Sequence, residues 1–101
     1  MAKVYISGPI SGHPIFETIE KFGRASDAIY DRGDTPVNPA AMSPWNLPWK
    51  TYIQIANVIL SSGDIDKIYM LRGWRESDGA QLECFYAKLN GIPVEFEGVT
   101  V

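Results

Sequence analysis

The sequence predicts a three-layer α/β/α domain with a parallel sheet of four to five strands. Short apolar runs alternate with amphipathic segments of a dozen or more residues, in the order β-α-β-α-β-α-β. This alternation favours parallel strands joined by right-handed helical crossovers, with helices on both faces. A chain of 101 residues, 46% of them hydrophobic, has the size of one domain with a real core. We therefore expect a single flavodoxin- or Rossmann-like domain over residues 1–101.

The first half of the chain carries three clear signals. Residues 3–7, KVYIS, are a β-rich run that ends in the glycines and prolines of GPISGHP. Residues 14–32 repeat apolar side chains at helical spacing, and Gly33 follows where a glycine ends a helix. Residues 35–39, TPVNP, form a short strand that the second proline cuts off.

The middle of the chain continues the alternation. Residues 40–49, AAMSPWNLPW, contain two prolines and are predicted as a loop. Residues 50–61 follow as a second helix with one apolar face. Residues 66–71, DKIYML, form a strand, and residues 72–76, RGWRE, a loop.

The last helix begins at Ser77 or Asp78, with Gln81 placed for a capping box with Asp78. Gly91 ends it, and residues 92–94 begin an apolar run typical of a buried strand. Cys84 is expected to be a buried packing residue. The stripe expected to pack on the sheet consists of Leu82, Phe85, Tyr86 and Leu89.

Composition excludes several classes of function. The net charge is −3 and the basic residues are scattered, so we expect neither a nucleic-acid polymer nor a membrane as partner. There is no apolar run of about 18 residues and no signal-peptide pattern. One Cys and one His cannot form an internal disulfide or a zinc site. These features predict a cytoplasmic protein without metal or cofactor.

A ligand site is expected beyond the carboxyl ends of the strands. The segments that follow those ends are residues 7–13, 38–39, 72–74 and 76–79, and Glu83 lies just inside the last helix. Small residues before a helix let the backbone approach a ligand, and free N–H groups at the helix start attract an anion. SGPISG and SDGA therefore indicate a phosphate or sugar site, or else only the geometry of strand-to-helix turns.

Glu83 is open to two interpretations. It is either a solvated carboxylate that the helix dipole favours, or a nucleophile or stabiliser of an oxocarbenium-like centre in glycoside chemistry. The aromatic residues are equally open, because they could stack on a planar base or cap the core and a dimer interface. The aromatic residues in question are Trp45, Trp49, Tyr52 and Trp74.

The order of motifs resembles a known family. The segments KVYISGPISG, VNPA, DKIYMLRGW and SDGAQLECFYAKLNGIPV are similar to the nucleoside 2-deoxyribosyltransferase-like superfamily, in particular to its small phage and bacterial branch, DUF4406. The most specific piece is Trp74 followed by Ser77-x-Gly79-Ala80-x-x-Glu83-x-x-x-Ala87.

The resemblance implies an enzyme that acts on the N-glycosidic bond of 2′-deoxynucleosides or their 5′-monophosphates. It assigns Glu83 as the nucleophile and Asp66 as the residue that assists the departing base, with Asp64 as its rival. It assigns Ser77 and Gly79 to the 5′-hydroxyl or 5′-phosphate. The other substrate-binding positions expected from the resemblance and from the strand ends are Ser7, Gly8, Ile10, Ser11, Gly12, Asn38, Trp45 and Trp74.

The resemblance leaves the reaction open between hydrolase and transferase. The alternative function is a non-catalytic nucleotide-binding module, either a sensor or a sequestering protein. In either case the partner is a small deoxynucleoside or deoxynucleotide. Because family members assemble, the resemblance also implies a homodimer or higher homo-oligomer.

Overall fold

The computed structural model describes residues 1–10, 13–42 and 49–98, and its centre is a four-stranded parallel sheet. The strand order is β2-β1-β3-β4, and each neighbouring pair is parallel. This is the order of the first four strands of a flavodoxin-like sheet, so the predicted fold class is confirmed. The strands are β1 (Lys3–Ser7), β2 (Thr35–Val37), β3 (Lys67–Met70) and β4 (Val94–Phe96).

Helices cover both faces of this sheet. On one face, α1 packs against Val4 and Ile6 of β1, and on the other α3 and α4 pack against Tyr5 of the same strand. Alternation along β1 therefore divides the core into two layers. The helices are α1 (Ile15–Asp31), α2 (Pro39–Met42), α3 (Trp49–Ser61) and α4 (Asp78–Leu89), with a 3₁₀ turn at Trp74–Glu76.

The loop predicted for residues 40–49 is wrong in part, because α2 occupies residues 39–42. Asn38 Oδ1 accepts a hydrogen bond of 3.0 Å from the Ala40 N–H, which caps the start of α2. Pro39 fits the first helical position because its missing N–H would have no partner there. Residues 43–48 of the predicted loop lie outside the described residues.

Glycines end two of the helices as predicted. Gly33 follows α1 with φ +94°, and Gly91 follows α4 with φ +70°. These backbone angles strain any residue that carries a Cβ, so both predicted helix stops are confirmed.

The buried face of α4 is not the predicted one. Of the predicted stripe, Phe85 is 54% exposed and Leu89 is 66% exposed. Leu82 and Tyr86 are half-buried, and Tyr86 packs against the core. The fully buried positions carry mostly small residues. Small side chains let the helix axis lie close to the strands, so most of the larger apolar side chains lie beside this contact or outside it. Glu83 lies on this buried face instead of beside it. The buried residues of α4 are Ala80, Glu83, Cys84 and Ala87.

The start of α4 also differs in detail from the prediction. Ser77 is the N-cap, and its hydroxyl accepts from the Ala80 N–H at 3.2 Å. Asp78 is already the first helical residue, so the capping box with Gln81 does not form. The Gln81 side-chain amide instead donates to the carbonyl of Arg75 in the preceding 3₁₀ turn.

The final strand lies at the edge of the sheet and is half-buried, not fully buried as expected. Ile92 is buried, and strand pairing starts at Val94, which aligns with Ile68 of β3. No helix within the described ranges is long and apolar enough to cross a membrane.

Candidate active site around a buried glutamate

A small cavity lies beside the end of β1, between the first turn of α4 and the first half of α3. This is the point at which the chain changes direction across the sheet, since β2 lies on one side of β1 and β3 on the other. The cavity measures about 50 Å³, room for one or two water molecules. A nucleoside therefore enters only if side chains of the lining move. The lining residues are Tyr5, Gly8, Ile10, Pro39, Tyr52, Ile53, Ile55, Ala56, Ser77, Gly79, Ala80 and Glu83.

Glu83 is the charged residue of the described lining, and it is only 9% exposed. The Tyr5 hydroxyl donates to its Oε2 at 2.5 Å, and the Ser7 hydroxyl donates to its Oε1 at 2.8 Å. A carboxylate has about four lone-pair positions, so each oxygen keeps acceptor capacity after these two bonds. The two hydroxyls fix the orientation of the group and leave it able to react.

Burial raises the pKa of Glu83 from 4.5 to about 7, because the low-dielectric surroundings disfavour the charged form. The hydrogen bonds from Tyr5 and Ser7 act in the opposite direction and lower the pKa. The pKa of the Tyr5 hydroxyl lies well above its ordinary value, first because of burial and then because of the negative charge of Glu83. Tyr5 therefore stays a hydrogen-bond donor, and Glu83 titrates near neutrality.

Tyr5 is a site residue that sequence reasoning missed. Residues 5 and 7 of a strand point to the same face, and the face that carries Ser7 also receives α4. Side chains alternate between the two faces of the strand KVYIS. With Ser7 and Glu83 as candidates, this alternation could therefore have predicted that Tyr5 also faces Glu83. The apolar wall from α3, Ile53, Ile55 and Ala56, was also missed, since its pattern is that of ordinary core residues.

Five of the predicted substrate-binding residues meet at this point. Gly8, Ile10, Ser77 and Gly79 line the cavity, as the strand-end argument expected. Ser7 is different, because it is 0% exposed and lies behind the carboxylate that it orients. Its position fits support of Glu83 better than direct contact with a ligand.

Gly8 has a packing reason as well. A Cβ at residue 8 would lie 2.9 Å from the Cβ of Leu71, which is closer than real Cβ atoms come. The loops after β1 and β3 therefore approach each other through a position that only glycine fits.

The structure does not bring Asp66 and Glu83 together within the chain. Asp66 precedes β3, and its carboxylate accepts from the Lys3 N–H at 2.8 Å, at the beginning of β1. Glu83 accepts from Ser7 at the other end of β1, about 13 Å away along an extended strand. A residue that precedes a parallel strand lies at the amino edge of the sheet, and Asp64, the rival of Asp66, also precedes β3.

Two further predicted contacts, Trp74 and Asn38, are not among the described lining residues. Trp74 packs against Phe96 with ring centroids 5.6 Å apart, and the guanidinium of Arg75 lies 5.4 Å from the Trp74 ring centroid. The side-chain oxygen of Asn38 accepts the hydrogen bond that caps α2. Ser11, Gly12 and Trp45 lie outside the described residues.

The part of the chain that the structure describes contains no group of three or more His, Cys, Asp or Glu residues placed to hold a metal ion. Cys84 is buried with its thiol unpaired, as a packing residue on the sheet face of α4. The chemistry that this arrangement offers is therefore that of one oriented carboxylate in a mostly apolar recess.

Comparison with known proteins places the chain in a family. Neither curated proteins nor solved structures gave a match. The profile of a domain of unknown function, DUF4406, matches residues 2–96, which span all four strands and four helices. Since this match covers nearly the whole chain, the protein belongs to the DUF4406 family.

Proposed function

We propose that the protein is an enzyme that cleaves the N-glycosidic bond of 2′-deoxynucleosides or their 5′-monophosphates, with Glu83 as the nucleophile. The observation that carries the proposal is the buried carboxylate that Tyr5 and Ser7 hold at the carboxyl edge of the sheet. The resemblance of the sequence motifs to nucleoside 2-deoxyribosyltransferases supports the same assignment.

In the first step an oxygen of Glu83 attacks C1′, the C1′–N bond breaks, and the base departs with the bonding electrons. Positive charge builds at C1′ in the transition state, so a carboxylate held beside it stabilises the transition state more than the ground state. The departing base takes up a proton, which water supplies. Attack of water on C1′ then breaks the ester bond to Glu83, releases deoxyribose or deoxyribose 5-phosphate and regenerates the carboxylate, and the proton that this water loses neutralises the hydroxide left by the first step. Attack of a second base in place of water gives a new nucleoside or nucleotide, and that base loses its N–H proton in the same way.

The fixed position of the carboxylate supports this role. Hydrogen bonds to both oxygens orient Glu83 before any substrate arrives, which lowers the entropy cost of reaching the reactive geometry. With its pKa raised to about 7, Glu83 exchanges between the protonated form and the ionised, nucleophilic form near neutral pH.

A non-catalytic nucleotide-binding module is the second candidate, and one observation favours it. The described lining contains a single carboxyl group, Glu83, and Asp66 and Asp64 lie at the other edge of the sheet. The lining therefore offers no second carboxylic acid to protonate the departing base. A cleft with this lining could hold a nucleoside without turning it over.

Base release separates the two candidates. The protein is incubated with a panel of 2′-deoxynucleosides and their 5′-monophosphates, with and without a second free base, and products are followed by chromatography. We expect release by the wild type and by Glu20→Gln, an exposed control on α1 with the same chemical change, and none by Glu83→Gln. Binding without release on every substrate would support the module, and release by Glu83→Gln would remove the proposed nucleophile.

A further inference from the structure

A second cavity lies on the other face of the sheet, beside α1. On this face α1 packs over β1 and β2, and α2 packs over β1. The carboxyl ends of β3 and β4 border an open recess between α1 and the loops that follow β1 and β3. This recess, the α1-side cavity, measures about 440 Å³.

The α1-side cavity carries more positive than negative side chains. α1 contributes Lys21 and Arg24, which are three residues apart and therefore share one side of the helix. His13 comes from the loop after β1, and Arg72 from the loop after β3. Together with two carboxylates, the described lining has three permanent positive charges, two negative charges and one histidine. In a chain of net charge −3, this is a local excess of positive charge.

The two carboxylates do not neutralise Arg72. Glu17 lies 3.4 Å from Lys21 Nζ, and Glu97 Oε1 accepts from the backbone N–H of Arg72 at 2.9 Å. The guanidinium of Arg72 forms no ion pair with any residue that the structure describes. A Cβ at residue 98 would lie 3.0 Å from Arg72 Cζ, so glycine at this position leaves room for the guanidinium. The donors of Arg72 are therefore available to a ligand.

Lys21 and Arg24 are also available. Each forms only an exposed pair with a carboxylate four residues earlier on α1. Exposed pairs of this kind contribute little free energy, so an anion of higher charge can replace them.

The cavity also has an apolar part. Phe22 and Leu71 line it, and both are buried in the core on the α1 face. Sites for small molecules commonly enclose about 300–1,000 Å³, a range that includes this volume, whereas a single inorganic anion would leave most of the space unfilled. The ligand that matches these features is an anionic group on an organic body.

From these observations we infer that the chain has a second ligand site, in which Lys21, Arg24 and Arg72 bind the phosphate group of a small organic phosphate. A phosphate monoester carries a charge of about −1.5 to −2 at pH 7 and three acceptor oxygens, so it binds several cationic donors at once. The planar guanidinium groups of Arg24 and Arg72 match the geometry of phosphate oxygens. The inference does not depend on cleavage at Glu83, because the two cavities lie on opposite faces of the sheet and share no described lining residue.

Phenyl phosphate is the probe, because its ring can contact the apolar part of the cavity while its phosphate meets the cationic side chains. Nuclear magnetic resonance follows the backbone amides of the wild-type protein during titration with phenyl phosphate, inorganic phosphate or phenol. We expect saturable shifts centred on Lys21, Arg72 and Gly98, and an affinity for phenyl phosphate about 10-fold above that for either fragment. No saturable binding, equal affinity for phenyl phosphate and inorganic phosphate, or shifts confined to the Glu83 cavity would each overturn the inference.

Charge variants test the assignment of the phosphate contacts. Lys21→Gln and Arg72→Gln each remove one positive charge from the cavity, and we expect each to weaken phenyl phosphate binding about 3- to 10-fold. Lys88→Gln makes the same change at an exposed position of α4, on the other face of the sheet, and should leave the affinity unchanged. Because all three side chains are exposed, the variants should keep the wild-type amide spectrum away from the substitution. Equal weakening in all three variants, or none in the two cavity variants, contradicts the assignment.

Glu83→Gln separates this site from the proposed active site. The variant should bind phenyl phosphate with wild-type affinity, whether or not the wild-type protein releases a base from any substrate. If base release fails, the cleavage proposal fails and the binding result still decides this inference. Loss of phenyl phosphate binding in Glu83→Gln would place the phosphate in the Glu83 cavity and overturn it.

Discussion

Replacement of Glu83 by Gln should stabilise the folded protein at alkaline pH. The folded state holds the Glu83 proton up to a pKa of about 7, whereas the unfolded chain releases it near 4.5. The folded state therefore binds more protons between these values, and the wild-type free energy of unfolding falls as the pH rises through this window. Gln at this position has no proton to lose, so its contribution does not change with pH.

The size of the effect follows from the two pKa values. A difference between 4.5 and about 7 corresponds to about 3 kcal/mol, of which roughly 2–3 kcal/mol develops between pH 5 and pH 8. Glu83 is almost fully buried, so little of this is lost to screening by water. For a domain of this size we expect Glu83→Gln to gain about 8–20 °C in Tm relative to wild type between pH 5 and pH 8.

Urea or thermal unfolding at pH 5, 6, 7 and 8 measures the difference between the two proteins. Other titrating groups cancel in this comparison. They include Glu95, whose pKa is lowered chiefly by its hydrogen bond from Arg32, and Asp34, whose pKa is lowered chiefly by the Ala2 N–H. Glu76→Gln, at an exposed position, should follow the wild type at every pH. Parallel curves for wild type and Glu83→Gln would refute the idea that Glu83 is buried with a raised pKa.

Three further changes test the fold and the site. Tyr5→Phe removes the hydrogen-bond donor to Glu83 Oε2. Because hydrogen bonds to charged groups contribute about 1.5–3 kcal/mol, the pKa of Glu83 should rise by about 1–2 above its wild-type value. The midpoint of the same pH series measures this rise. Ala87→Leu overfills the fully buried face of α4 and should lower the free energy of urea unfolding by about 1–3 kcal/mol. Leu89→Ala, on the exposed face, should change the same free energy by less than about 0.5 kcal/mol. Equal effects of the two variants would contradict this assignment of the buried and exposed faces. Gly8→Ala places a methyl group 2.9 Å from Leu71 Cβ and should cost about 1–3 kcal/mol in thermal unfolding; an unchanged Tm would show that the two loops separate without strain.

The fold class and most helix boundaries of this protein were predictable, because periodicity and glycine stops are local signals. Gly33 and Gly91 ended α1 and α4 as expected, and the fold class followed from the alternation of elements. Part of the site was predictable, because ligand sites in such sheets lie at the carboxyl ends of the strands. The residues that this rule selected and that line one cavity are Gly8, Ile10, Ser77, Gly79 and Glu83.

The main differences from the predictions have two origins, tertiary packing for α4 and analogy for Asp66. Hydrophobicity alone selected Leu82, Phe85, Tyr86 and Leu89 as the buried stripe, but the fully buried face of α4 carries mostly small residues, and two members of the stripe are exposed. How closely α4 approaches the sheet is not encoded in the helix itself. Asp66 was placed by analogy, although its position before β3 already assigns it to the amino edge of a parallel sheet.

The corrected face of α4 strengthens the case for Glu83 as a functional residue. A helix that packs Ala80, Cys84 and Ala87 on a sheet would gain stability from another small or apolar residue between them, whereas a buried carboxyl with a pKa near 7 costs about 3 kcal/mol at alkaline pH. Tyr5 and Ser7 recover part of that cost, yet they do so by holding the carboxylate in one orientation beside an open recess. A carboxyl group that is buried only to complete the hydrogen bonds of its neighbours does not require a cavity beside it. The coincidence of a destabilising charge, two orienting donors and free space at the strand switch point is what a reaction at a carboxylate requires.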